Sequence, residues 1–106
     1  MSKKTQEEIA VESIKLSDIV QNLSRVDLLK MDIEGVEQRV LLSLKEQLQK
    51  IQQIIFEFHP VRGQNLQELL AFLQKNGYQV RLKDRKNKTI KSWHEGELVL
   101  VEASRV

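Results

Sequence analysis

The 106-residue sequence contains no cysteine, which excludes disulfide bonds, thiolate nucleophiles and cysteine-based metal sites. The N-terminus lacks the apolar centre of a signal peptide, and no apolar run approaches the roughly 20 residues that span a bilayer. The net charge of +2 is too small to indicate a nucleic-acid or membrane partner. We therefore expect a cytoplasmic protein without membrane association, and we do not expect nucleic acid as its partner.

Glycine is also scarce. The four glycines, Gly35, Gly63, Gly77 and Gly96, lie far apart in the sequence. The chain therefore has no paired-glycine turn, the device by which nucleotide-binding α/β folds bring their backbone close to a ligand. Its length and its 41% hydrophobic content indicate one globular domain with a real core.

The most informative segment changes its periodicity near Gly35. Residues 26–33 form a short apolar run that is typical of a buried strand. After Gly35 the apolar residues recur at helical spacing, at Val36, Val40, Leu41, Leu44 and Leu48. In open α/β sheets ligands bind beyond the carboxyl ends of the strands, and this is where Asp32 and Glu34 are expected.

The rest of the pattern predicts an α/β fold. Residues 51–58 form a second apolar strand that ends at His59-Pro60, so residues 26–58 make a parallel βαβ unit. A helix begins at Gln64 or Asn65 and stops at Asn76-Gly77, and strands at residues 78–82 and 98–101 pair antiparallel as a hairpin. The predicted sheet has parallel central strands and an antiparallel C-terminal hairpin, and helices flank it. Residues 1–8 form a polar tail.

Three blocks of the sequence resemble the FkbM-type methyltransferases, a family of S-adenosylmethionine-dependent enzymes. The blocks are VDLLKMDIEGVE at residues 26–37, IIFEFH at residues 54–59 and NGY at residues 76–78. The resemblance implies a Rossmann-like sheet of the class I methyltransferase kind. It covers only the second half of the family's domain, so residues 9–106 are expected to form a truncated domain that lacks the cofactor-binding half.

By this resemblance the chain is expected to be a methyltransferase fragment that is inactive alone. S-adenosylmethionine is implied as the cofactor, but we do not expect this chain to bind it by itself and assign no residue to it. The strand at residues 26–33 would lie next to a missing strand, and an uncovered edge favours self-association or pairing with the missing N-terminal half. The alternative function is a non-enzymatic interaction module that uses this exposed edge.

Asp32, Glu34 and His59 are the candidate catalytic residues, because the resemblance places the acidic block near the site where cofactor and substrate meet. A substrate-orienting or general-base role is the functional interpretation. The structural alternative is that Glu34 and Glu37 satisfy backbone amides and the helix dipole while Asp32 bonds within the turn. One histidine and two carboxylates are also the donors of a facial metal site, but the spacing is not diagnostic, and we assign no metal.

Two other charged features have structural and functional interpretations. Lys30 and Glu57 interrupt apolar strands, and we expect them to pair because an unpaired buried charge is costly. Residues 81–94 combine many basic side chains with Trp93, which is a combination found in single-strand nucleic-acid binding. A solvated hairpin tip is the interpretation that we favour for this segment.

Overall fold

The computed structural model describes residues 16–31, 35–94 and 96–105. Its elements follow the chain as α1 (residues 16–21), β1 (Val26–Met31), α2 (Glu37–Ser43), a 3₁₀ helix (Lys45–Lys50), β2 (Ile51–Phe58), α3 (Leu66–Lys75), β3 (Gln79–Lys83), β4 (Thr89–Ile90) and β5 (Val99–Ser104). The predicted α/β class is confirmed. The predicted tail at residues 1–8 lies outside the described ranges. No helix in these ranges is long and apolar enough to cross a bilayer.

In the described part of the chain the strands form one open sheet in the order β1-β2-β5-β3-β4. β1 and β2 are parallel, which confirms the predicted βαβ unit, and the other three pairings are antiparallel. β3 and β5 pair antiparallel as predicted, but β5 also pairs with β2 and lies in the middle of the sheet. The parallel pair therefore lies at one side of the sheet, whereas the sequence predicted parallel strands at its centre.

The core lies on one face of this sheet. Alternate residues of β2, including Ile54 and Phe56, are buried there against side chains of α2 and α3 such as Leu41 and Leu69. The inward-facing residues of β5 are buried on the same pattern. The central position of β5 follows from this burial. A strand with three buried residues on one face buries the most apolar area when it lies over the helices rather than at an edge of the sheet.

The expected ion pair between Lys30 and Glu57 does not form. Lys30 lies opposite Ile55 in the parallel register, and both charged side chains are exposed. On the same face Lys83 instead pairs with Glu102 on the neighbouring strand, at 3.4 Å. The prediction assumed that both faces of the strands are covered, and the alternation of β2 leaves one of its faces in water. A charge in water needs no partner.

Tyr78 and Arg105 close the core at the end of the 3₁₀ helix. The Tyr78 hydroxyl lies 2.9 Å from the Leu48 carbonyl oxygen and 2.7 Å from that of Ile51, within donating distance of both. The Arg105 guanidinium donates to the same two oxygens and lies 4.3 Å from the centre of the tyrosine ring. Burial raises the pKa of Tyr78, and the charge of Arg105 and its hydrogen bond oppose that rise.

Candidate functional site at the carboxyl end of the parallel strands

The carboxyl ends of β1 and β2 meet at one edge of the sheet. The two strands are parallel, and Met31, the last residue of β1, lies opposite Phe56 of β2. Gly35, in the described part of the loop after β1, lies close to Val61 in the loop after β2. His59 comes directly after β2 and lies at this edge, as predicted. Asp32 and Glu34 fall outside the described residues, so their place at the edge stays a prediction.

Glu37, the first residue of α2, is the centre of the site. Its side chain is fully buried, although its charge would favour water. Its Oε1 accepts hydrogen bonds from the His59 backbone N–H at 2.9 Å and from Gln64 Nε2 at 3.0 Å. Its Oε2 accepts from the Gly35 N–H at 2.9 Å and lies 3.3 Å from His59 Nδ1. Four polar groups thus surround one buried carboxylate, as the burial of a charge requires.

Sequence reasoning gave Glu37 only a role at the start of the helix. The bond from the Gly35 N–H agrees with that role, because Glu37 satisfies a free amide next to the first turn of α2. The bonds to His59 and Gln64 join it to a loop more than twenty residues further along the chain. The only signal in the sequence was an acidic residue two places after Gly35, and this spacing does not distinguish a cap from a buried centre.

Gly35 makes the turn that brings Glu37 into place. Its φ of +84° lies in the left-handed region, where glycine has no steric penalty. A Cβ atom on Gly35 would lie 3.1 Å from Val61 Cγ2, so the loops after β1 and β2 are packed tightly at this point. Both the backbone conformation and the neighbouring loop therefore favour a glycine at this position.

A second set of hydrogen bonds fixes the starts of α2 and α3 to each other. Gln64 Nε2 also donates to the His59 carbonyl oxygen at 2.6 Å, while its Oε1 accepts from the Gln38 N–H at 2.9 Å. Gln38 Oε1 in turn accepts from the Asn65 N–H at 2.6 Å. Asn65 is the N-cap of α3 and accepts from the Glu68 N–H, which confirms the predicted start of that helix. Gln64, which donates to Glu37, is thus itself fixed by hydrogen bonds to His59 and Gln38.

The His59 imidazole lies between a buried and an exposed carboxylate. Its Nδ1 faces Glu37 Oε2, and its Nε2 lies 4.0 Å from Glu57 Oε2, beyond hydrogen-bond distance. About 20% of the side chain is exposed, so the ring can be reached from solvent. An imidazole oriented by a carboxylate on one nitrogen is able to accept a proton on the other.

The basic segment forms the solvated hairpin that the sequence favoured. Asp84 Oδ1 accepts from the backbone N–H groups of Lys86 and Lys88 and so shapes the turn between β3 and β4. Trp93 is half-buried against the core, and it lines an open groove together with Phe58 at the end of β2. A tryptophan that packs in this way presents less of its face for stacking on a base.

Within the part of the chain that the structure describes, no group of histidine and acidic side chains has the arrangement of a metal site. A site formed by His59 with Asp32 and Glu34 would involve residues outside those ranges. The described polar neighbours of the His59 ring are two glutamates, and one of them, Glu37, accepts hydrogen bonds from the Gly35 and His59 N–H groups and from Gln64.

The described part of the turn at Gly35 and the loop that contains His59 both lie in a region that matches a known family. The sequence profile of the methyltransferase FkbM domain matches residues 1–80. The chain belongs to the FkbM methyltransferase domain family. This confirms the family that the three sequence blocks indicated.

A curated FkbM relative supports the same assignment. The chain is 35% identical over 79 residues to the 31-O-demethyl-FK506 methyltransferase FkbM of Streptomyces tacrolimicus. The alignment covers 72% of this chain but only 30% of that protein, so the chain spans about a third of the length of the relative that it matches. No solved structure matches the chain.

Methyltransferases of this family imply S-adenosylmethionine as the cofactor, and the four glycines of this sequence form no paired-glycine turn. A Cβ atom on Gly63 or Gly96 would meet nothing within 4 Å. A Cβ on Gly35 or Gly77 would meet side chains of this chain, namely Val61 and Arg105.

Proposed function

We propose that this FkbM-family chain forms the acceptor side of a methyltransferase site, on a Rossmann-like sheet that residues 9–106 complete only in part. The observation that carries the proposal is the meeting of the loops after β1 and β2, where His59 and the buried Glu37 lie together. The match of the family to residues 1–80 includes both loops. A cofactor-binding half, with the glycine turn that these 106 residues lack, is then needed from elsewhere.

In this proposal His59 accepts a proton from the group that is methylated, and Asp32 and Glu34 orient that group. A hydroxyl is the acceptor class that fits, since the Streptomyces relative is named as a methyltransferase for an O-demethyl substrate. The partly exposed side chain of His59 supports the role of proton acceptor. The absence of cysteine in the sequence supports a cytoplasmic setting.

Calorimetric titration of S-adenosylmethionine into the purified chain tests whether a separate cofactor-binding half is needed. We expect no binding at micromolar concentrations by the chain alone. We expect binding when the N-terminal part of the Streptomyces relative is present as a separate chain. Micromolar binding by the 106-residue chain would contradict the proposal, as would a mixture of the two chains that binds no better than the N-terminal part alone.

A second candidate function is a protein-interaction module, and the edge of β1 favours it. Within the described sheet β1 has a neighbour on one side only, and Leu28 in this strand is 49% exposed. An apolar edge strand is a template for pairing with a second copy or with the missing half. Light scattering should then show a dimer whose population rises with concentration, and Leu28→Lys should reduce it. A monomer at every concentration would contradict self-association.

A further inference from the structure

The contacts of His59 determine which of its two ring nitrogens carries the hydrogen. Nδ1 lies 3.3 Å from Glu37 Oε2, and an ionised carboxylate only accepts hydrogen bonds. The other N–H groups around Glu37, from Gly35, His59 and Gln64, all donate to the same carboxylate, so both of its oxygens serve as acceptors. The hydrogen between His59 and Glu37 therefore belongs to Nδ1.

We infer that Glu37 holds the neutral His59 imidazole in the Nδ1–H tautomer and so leaves Nε2 with a free lone pair. Glu37 is then a positioning residue, and His59 is the group that exchanges a proton with the acceptor. This meaning for catalysis rests on the proposed function. The tautomer itself rests only on the contacts of the two side chains.

The surroundings of Nε2 agree with this inference. Among the described residues Glu57 is the acidic group on that side, and its Oε2 lies 4.0 Å away, too far to take a hydrogen bond from Nε2. The Glu57 side chain is also more than half exposed, so water competes with the imidazole for its oxygens. The buried carboxylate of Glu37 has no such competition, and it determines the orientation of the ring.

Four contacts keep Glu37 in place for this task. The turn at Gly35 and the side chain of Gln64 hold the carboxylate from two directions, and the His59 N–H ties it to the backbone of the residue that it orients. Because Glu37 bonds both the backbone and the ring of His59, the imidazole is fixed at two points. Such double anchoring is what a positioning residue must provide.

Nuclear magnetic resonance on the 15N-labelled chain tests the inference without any cofactor. Long-range proton–nitrogen correlations distinguish a ring nitrogen that carries hydrogen from one that does not. The sequence has two histidines, and His94, whose side chain is 94% exposed, is the internal reference. At the alkaline plateau of each signal we expect the hydrogen of His59 on Nδ1, and that of His94 on Nε2, the form that free imidazole prefers in water.

Two matched variants separate positioning from a merely structural role. Glu37→Gln should remove the preference of His59 for the Nδ1–H form, whereas Glu57→Gln should leave it unchanged. The inference is overturned if His59 in the wild type shows the tautomer of His94, or if Glu37→Gln lowers stability and leaves the tautomer as it was. If Glu37→Gln does not fold, the comparison of His59 with His94 still decides. Failure of S-adenosylmethionine binding would contradict the proposed function and leave this result standing.

Discussion

Removal of the Glu37 carboxylate should be among the most destabilising single changes in this chain. Glu37→Ala leaves the N–H groups of Gly35 and His59 and the amide of Gln64 without the acceptor that they now share. The site is buried, so water does not readily replace the lost oxygens. Glu37→Gln keeps one acceptor oxygen and turns the other into a donor, which faces donors already present.

The size of the effect follows from these contacts. A buried donor that loses its partner costs about 1 to 3 kcal/mol, and breaking a buried charged network costs about 3 to 5 kcal/mol. We therefore expect Glu37→Ala to lower the free energy of unfolding by about 4 kcal/mol, within the ~5 to 15 kcal/mol that a domain has in total. Glu37→Gln should cost less, about 2 kcal/mol, because one pair of bonds survives.

Urea unfolding followed by far-ultraviolet circular dichroism measures this loss. With a slope of about 2 kcal/mol per molar urea, the midpoint of Glu37→Ala should fall by about 2 M. Glu46→Gln is the matched control, since Glu46 is an exposed acid in the first turn of the neighbouring 3₁₀ helix. Its midpoint should stay close to that of the wild type. A Glu37→Ala midpoint as close to the wild type as that of the control would refute the assignment of Glu37 as a buried acceptor.

Two further predictions concern the Gly35 turn and the core tyrosine. Gly35→Ala should cost more than Gly63→Ala in urea unfolding, since both have positive φ but only Gly35 meets Val61, and Val61→Ala should recover the difference. Equal costs would contradict the close contact. The pKa of Tyr78 is raised in the folded state. The contribution of its hydroxyl to the free energy of unfolding is therefore complete below pH 10, and it is lost as the pH rises through the raised pKa. Stability should therefore fall more steeply above pH 10 than in Tyr78→Phe, and identical pH profiles would contradict this.

Local signals in the sequence were sufficient for most of the elements. The change of period at Gly35 predicted the strand and the helix on either side of it, and Asn65 and Gly77 marked the two ends of α3. These signals act over a few residues, because caps, turns and hydrophobic periodicity are properties of neighbouring positions. The short β4 was missed, since two residues are too few to show a period.

The candidate site could be predicted only in outline. His59 was expected at the strand end and is there, but its partner Glu37 was interpreted only as a residue of the helix start. Whether Glu37 is a residue of the helix start or a buried partner of His59 depends on whether a loop 22 residues away packs over its carboxylate. A local sequence pattern cannot predict such a contact. The same limit applies to Lys30, whose expected partner assumed that a second layer covers the sheet.

By itself the sequence determined the α/β class, the parallel βαβ unit, the family and the edge of the sheet where function is expected. The tertiary structure decided that β5 lies between β2 and β3, that one face of β2 stays in water, and that Glu37 is buried against His59. The physical reason is distance along the chain. Periodicity and turns are set by adjacent residues, whereas the burial of a charge is set by groups that only the folded chain brings together.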